Sequence, residues 1–155
     1  MSEAQLSPLS MERVKAFFDD KGWAYEEDEN GLVLHTGFSG VGMDVKFFAP
    51  SVSIVTTVAV DIVTANRFDE VLSWVEAHNY QKAYPSLAAL KDVERDITAL
   101  GASYTLPGQW EYTDHQFASH LFTGIQGLVQ AARDFLGQFA PQVLEDLDRQ
   151  RPGTA

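Results

Sequence analysis

The sequence predicts an α+β fold: an antiparallel sheet of about five or six strands with helices packed on one face. The expected order is α-β-β-β(-β)-α-β-β-α. Three observations predict it. From Trp23 to Val60 short apolar runs alternate with tight-turn signals, with no room for a helical crossover, which makes an antiparallel meander. Helical periodicity returns on both sides of that block. The apolar stripe from Phe117 to Phe139 is too wide to remain in water, so it must lie on a sheet or another helix.

The first helix is expected over Pro8 to Lys21. Ser7 or Ser10 can cap it, Pro8 suits a first turn, and Met11, Val14, Phe17 and Phe18 share a stripe. Gly22 is the expected stop. Trp23-Ala24-Tyr25 starts a strand, and Asn30-Gly31 supplies positive φ angles for a hairpin turn. Leu32 to Phe38 is the next strand, Ser39-Gly40-Val41-Gly42 the next turn, and Met43 to Ala49 the strand after it. Pro50-Ser51 turns again, and Val52, Ile54, Thr56, Val58 and Val60 form one face of the longest strand.

A second helix is expected over Asn66 to His78, with Phe68, Val71, Leu72, Trp74 and Val75 on its apolar side and Asn79 as its cap. Two strands follow, around Ala83 to Leu90 and Asp96 to Leu106, with Gly101 marking a bulge or bend. The closing helix starts at a capping box, Thr113-Asp114-His115-Gln116. Pro141 ends or kinks it, Leu144 and Leu147 add a short turn, and Asp148 to Ala155 reads as a polar tail. One domain over residues 8–147 is expected, with flexible termini at 1–7 and 148–155.

Composition limits the function. The chain has 155 residues, enough for one domain that buries about 68–70% of its unfolded surface without a staple. Its formal net charge of -11 repels phosphate backbones and anionic headgroups, so neither nucleic acid nor membrane is an expected partner. A basic segment or a cationic ligand is favoured instead. The absence of cysteine excludes disulfides, a thiolate nucleophile and Cys-ligated metals. The N-terminus lacks a signal-peptide pattern and Val52 to Val63 is too short and polar to span a bilayer, so the cytoplasm is expected.

No catalytic, cofactor-binding or metal-binding constellation is legible. Gly37-Phe38-Ser39-Gly40 fails as a nucleophile elbow, because Val41 replaces the second Gly and a strand follows. Glu26, Asp28, Asn30 and Gly31 begin like a calcium loop, but Gly37 stands where its bidentate Glu belongs. His115 and His120 sit about 140° apart around a helix and cannot share a metal from one face. The acids at Asp19-Asp20 and at Asp92, Glu94 and Asp96 read as solvated element ends. Gly124 and Gly127 inside a helix point to close backbone approach, to the sheet or to a second subunit. Trp110 and Tyr112, in a Pro/Gly-flanked loop, are candidates for a protein contact surface.

Four stretches together resemble a known family. They are Leu9-Ser10-Met11-Glu12-Arg13-Val14, Trp74 in the second helix, Gln81-Lys82-Ala83-Tyr84 after it, and Leu121 to Phe135 with Gly124. In order and spacing, over residues 8–140, these are similar to the YbjN-like family of candidate bacterial sensory transduction regulators. The chain departs from that pattern in having Val75 for Asn, Gln81 for Pro, and Pro85 after Tyr84. The resemblance implies the type III secretion chaperone-like fold, with no catalytic residue to carry over. It also implies a non-enzymatic, regulatory or chaperone-like protein-binding module, often a homodimer, and it adds Tyr84 to Trp110 and Tyr112 as candidate contact residues. The alternatives are a small-ligand-binding protein or enzyme whose site is assembled from scattered residues such as Asp61, His78 and Tyr84, and a structural subunit of a larger assembly.

Overall fold

The computed structural model describes residues 5–150. Helix α1 (Met11–Lys21) starts three residues later than Pro8, because Ser10 takes the cap: its Oγ accepts from the Arg13 N–H. Ser7 has another use. It forms an isolated antiparallel bridge with Tyr112, with N–H···O distances of 3.1 and 2.9 Å. Residues 1–4 of the expected N-terminal tail lie outside the described residues. Gly22 closes the helix at φ 71°, a left-handed angle that costs a glycine nothing.

The meander comprises β1 (Glu26–Glu27), β2 (Val33–Phe38), β3 (Val41–Phe48) and β4 (Ser51–Val58). The β2–β3 turn is tighter than expected. Only Ser39 and Gly40 lie between the strands, both at positive φ, as a two-residue hairpin of this twist requires, so Val41 and Gly42 already pair with Phe38 and Gly37. The turn before β2 is looser than Asn30-Gly31 implies. Gly31 alone of that pair has positive φ, and Asp28 Oδ1 holds the loop by accepting from Leu32 and Val33 N–H.

A single 3-10 turn (Ala65–Arg67) leads into α2 (Phe68–Gln81), which runs three residues beyond His78. Asn79 is therefore not its cap. The Asn79 amide instead brackets the backbone of Leu87, donating to its C=O at 2.9 Å and accepting from its N–H at 3.0 Å. Leu87 belongs to β5 (Ser86–Asp92), which is the last strand of the sheet, so Asn79 plays the part of a missing neighbour strand at that position. Asn79→Ala leaves both groups to be satisfied by water alone at a half-buried site. The expected loss is about 1 kcal/mol, read as a lower midpoint in urea denaturation at unchanged slope.

Strand β6 (Ile97–Leu106) completes a six-stranded, wholly antiparallel sheet in the order β1-β2-β3-β4-β6-β5. Gly101 makes no bulge; it pairs in register with both Thr57 and Ala88. A side chain there would meet Leu90 at 3.2 Å, so the glycine leaves room for a neighbour rather than bending the strand.

Helix α3 (Asp114–Phe139) begins at the expected capping box, with Thr113 Oγ1 accepting from Gln116 N–H and Gln116 Oε1 accepting from Thr113 N–H. Its stripe, from Phe117 to Phe139, is buried. Pro141 opens a further helix, α4 (Pro141–Arg149), where a short turn was expected. Asp148 and Arg149, expected in the polar tail, are its last residues, and 151–155 lie outside the described residues.

The core lies between the helices and one sheet face, which carries Leu34, Val45, Ile54, Leu100 and Ala102. Gly124 brings the α3 backbone against Ile54 and Tyr104, Phe18 of α1 meets Phe38, and Trp74 of α2 meets Phe135. The opposite face presents His35, Asp44 and an exposed Phe48. The expected architecture, helices on one face of an antiparallel sheet, is the one observed, with α4 added to the order.

Candidate functional site: a groove between two helices

The three residues singled out in the sequence part company. Tyr112 is only 5% exposed; its hydroxyl donates to Pro107 C=O at 2.6 Å and its backbone bridges Ser7. It is an interior packing residue, not a partly exposed loop aromatic, because the bridge to Ser7 draws that segment onto the body. Trp110 remains 64% exposed in the loop before α3. Tyr84 is 47% exposed, and it alone borders a sizeable concavity.

That concavity is a groove between the C-terminal halves of α2 and α3. It consists of two adjoining depressions of about 560 and 370 Å³ that share His78, Lys82 and Asp134. Sequence spacing explains one wall: Trp74, His78 and Lys82 stand four residues apart, on one face of α2 and its cap. Gln130, Arg133, Asp134 and Gly137 supply the other wall by the same rule. The glycines hollow it out. Gly127 lets Tyr84 and Pro85 come up to the α3 backbone, where an added Cβ would meet them at 3.3 and 3.5 Å. Of the two uses expected for the helix glycines, both serve approach within the chain: Gly124 to the sheet, Gly127 to the segment before β5.

Several side chains of the groove are held in place. The Trp74 ring is pinned 6.0 and 5.9 Å from those of Phe135 and Phe139. His78 Nε2 lies 3.0 Å from Pro85 C=O, where it donates. Gln130 Nε2 donates to Asp134 Oδ1 at 2.7 Å. Arg133 Nη2 reaches Asp148 Oδ1 of α4 at 2.7 Å, while its Nη1 is buried with no acceptor among the described residues.

Beyond Tyr84 an aromatic row continues along α3. Tyr84 meets Tyr104 edge-on at 5.7 Å, and His120 Nδ1 is hydrogen bonded to the Tyr104 hydroxyl at 2.8 Å. Burial pushes the Tyr104 phenol up from its ordinary value, so it stays protonated. His120 is thus exposed but held against the rim of the packed stripe by Tyr104. His35, remote from the groove, pairs with Asp44 at 2.7 Å on the open sheet face.

The groove is lined by aromatic, aliphatic, amide and charged side chains. Its lining contains no serine, threonine or cysteine, and its one imidazole is committed to a backbone carbonyl. No group of three or more His, Asp and Glu side chains gathers at metal-binding distance among the described residues. No helix is long and apolar enough to cross a membrane among them.

No family model matches the sequence, and no curated protein matches it. The fold does find a match. The crystal structure of YbjN from E. coli, described as a candidate transcription regulator, superposes with a TM-score of 0.69 over 89% of this chain and 97% of that one. The chain has the YbjN fold. At 15% identity the likeness lies in the architecture and not in side chains. Within the YbjN fold, the groove is built from positions that sequence reasoning only grazed. Trp74 and the Gln81-to-Tyr84 segment carried the resemblance, while His78, Gln130, Arg133 and Asp134 went unnoticed as a set. The signal that could have found them is the double i, i+4 register, Trp74-His78-Lys82 on one helix and Gln130-Asp134 on the other.

Proposed function

We propose that this chain is a non-enzymatic, regulatory or chaperone-like protein-binding module of a bacterial cytoplasm, that it works as a homodimer, and that the α2–α3 groove receives a segment of its partner. The observation that carries this reading is the groove lining: a pinned Trp74 and a half-exposed Tyr84 beside polar side chains that are tied to one another or to backbone. Two further points support it. The formal charge of -11 disfavours direct contact with nucleic acid or lipid headgroups, so regulation would pass through protein. The fold is shared with a protein described as a candidate transcription regulator.

A site-specific crosslink tests the reading. A photo-reactive phenylalanine analogue is placed at Tyr84, and in a second variant at Phe48 on the opposite sheet face. The expected result is a discrete adduct from Tyr84 that is absent from Phe48. Equal labelling from both positions, or none from Tyr84, refutes the groove as the contact surface. Sedimentation velocity on the purified chain checks the dimer, and a monomer at micromolar concentration would remove that part of the proposal.

A further inference from the structure

We infer that the protein binds a small uncharged aromatic molecule, bearing a single O–H or N–H donor, in a cleft under α4 between the ends of β3 and β4. The cleft lies apart from the α2–α3 groove and shares no lining residue with it.

The sheet itself opens the cleft. Strand β3 begins at Val41 and β4 ends at Val58, but the ladder between them stops at Asp44 and Val55. Among the described residues, Val41 to Met43 pair only with β2, and Thr56 to Val58 only with β6. A side chain bridges part of the gap: Thr56 Oγ1 donates to Gly42 C=O, where a backbone N–H would serve in a continued ladder. Helix α4 roofs the space with Val143 and Leu147, and Gly40 admits Leu147, since an added Cβ would meet it at 3.3 Å. The roof does not fill what lies beneath. None of the described residues of α4 is buried, and about 240 Å³ remains under it.

Size, charge and polarity set the ligand class. A closed apolar cavity of about 150 Å³ takes up benzene, so this larger, open-mouthed cleft has room for about nine or ten non-hydrogen atoms. Charged residues make up 21% of the chain, yet none lines the cleft among the described residues. An ion seated against Val41, Val58, Ala132 and Leu136 would lose its hydration with no partner in exchange. Thr56 is the buried polar side chain of the lining, at 4% exposure. Its proton is committed to Gly42, so its oxygen is left to accept, which calls for one donor on the ligand. A flat ring suits a slot between helix and sheet and gives up little conformational freedom on entering it.

The probe is para-ethylphenol, with ethylbenzene lacking the donor and para-ethylbenzoate carrying a charge. Binding to the full chain at neutral pH is followed by methyl NMR. Millimolar para-ethylphenol should shift the methyls of Val58, Ala132, Leu136, Val143 and Leu147 saturably and leave Ala77 and Ala83 of the groove unmoved. Ethylbenzene should bind about fivefold more weakly, and para-ethylbenzoate should not bind. Val143→Phe fills the cleft from the half-exposed roof and should abolish binding. Thr56→Val should bring para-ethylphenol down to the level of ethylbenzene, with the fold verified by circular dichroism. Cleft methyls that stay still, shifts of equal size in the groove, or undiminished binding to Val143→Phe overturn the site. Equal binding of the three compounds, or a preference for the phenol that survives in Thr56→Val, overturns the ligand class.

Discussion

Phe135→Ala is expected to lower the unfolding free energy by about 3–5 kcal/mol, the largest loss of any substitution considered for this protein. Phe135 is fully buried near the C-terminal end of the α3 stripe, with Trp74 of α2 at 6.0 Å and Phe139 at 5.3 Å. Truncation removes the transfer free energy of a phenyl ring and leaves a void between two helices and the sheet. The helices cannot collapse into it, because α3 is tied to β4 and β6 through Gly124 and α2 to β5 through Asn79. Total stability for a domain is about 5–15 kcal/mol, so the variant gives up a large share of it. The expected fall in Tm is about 6–20 °C. Urea denaturation followed by tryptophan fluorescence checks this, with Trp110→Ala as an exposed control that should stay within about 0.5 kcal/mol. A loss under 1 kcal/mol for Phe135→Ala would mean that α2 does not pack on α3 in the manner described.

Gly124→Ala and Gly127→Ala should change stability in opposite directions, although both replace a glycine within one helix three residues apart. Helix propensity alone favours alanine at each by about 1 kcal/mol. At Gly124 the new methyl would lie 2.5 Å from the Tyr104 ring and 3.0 Å from Ile54 Cδ1. Tyr104 cannot swing aside freely, since its hydroxyl is bonded to His120 and its ring rests on Tyr84. Overpacking costs about 1–3 kcal/mol and offsets or exceeds propensity; with a contact as short as 2.5 Å the cost lies toward the upper end, for a net loss of up to about 2 kcal/mol. At Gly127 the nearest atoms belong to the half-exposed Tyr84 ring at 3.3 Å, which has solvent to move into. Propensity then wins, with a gain of up to about 1 kcal/mol. Melting curves of the two variants decide the matter, and loss at both positions would show that the Tyr84 side of α3 is as tightly packed as the sheet side. Because Gly127→Ala also narrows the groove, it should bind a partner segment more weakly while being the more stable protein.

The local signals that proved most reliable were those in which a backbone group has one chemical solution close by. Ser10, Gly22, Ser39-Gly40 and the Thr113–Gln116 box each satisfy or permit a backbone conformation within a few residues, and each lies where the residue types indicate. Errors arose where a distant group made a better offer. Asn79 is a good helix cap until β5 brings an unpaired Leu87 within reach, and Ser7 is a good cap until Tyr112 offers a backbone bridge. Gly101 invites a bulge only if the space of its missing side chain is not wanted by Leu90.

The amino-acid sequence by itself determined the alternation of helix and strand, the antiparallel meander, the buried stripe of α3 and the acidic surface, because periodicity, capping and charge are properties of neighbours along the chain. Only the tertiary structure decided that Tyr112 is interior, that α4 continues past Pro141, and that Trp74, His78, Lys82, Tyr84 and Arg133 border one groove. A groove is made by two elements that approach side by side, and the distance between α2 and α3 is set by what packs beneath them, Phe135 and Phe139 above all. That separation is written in no single stretch of the chain.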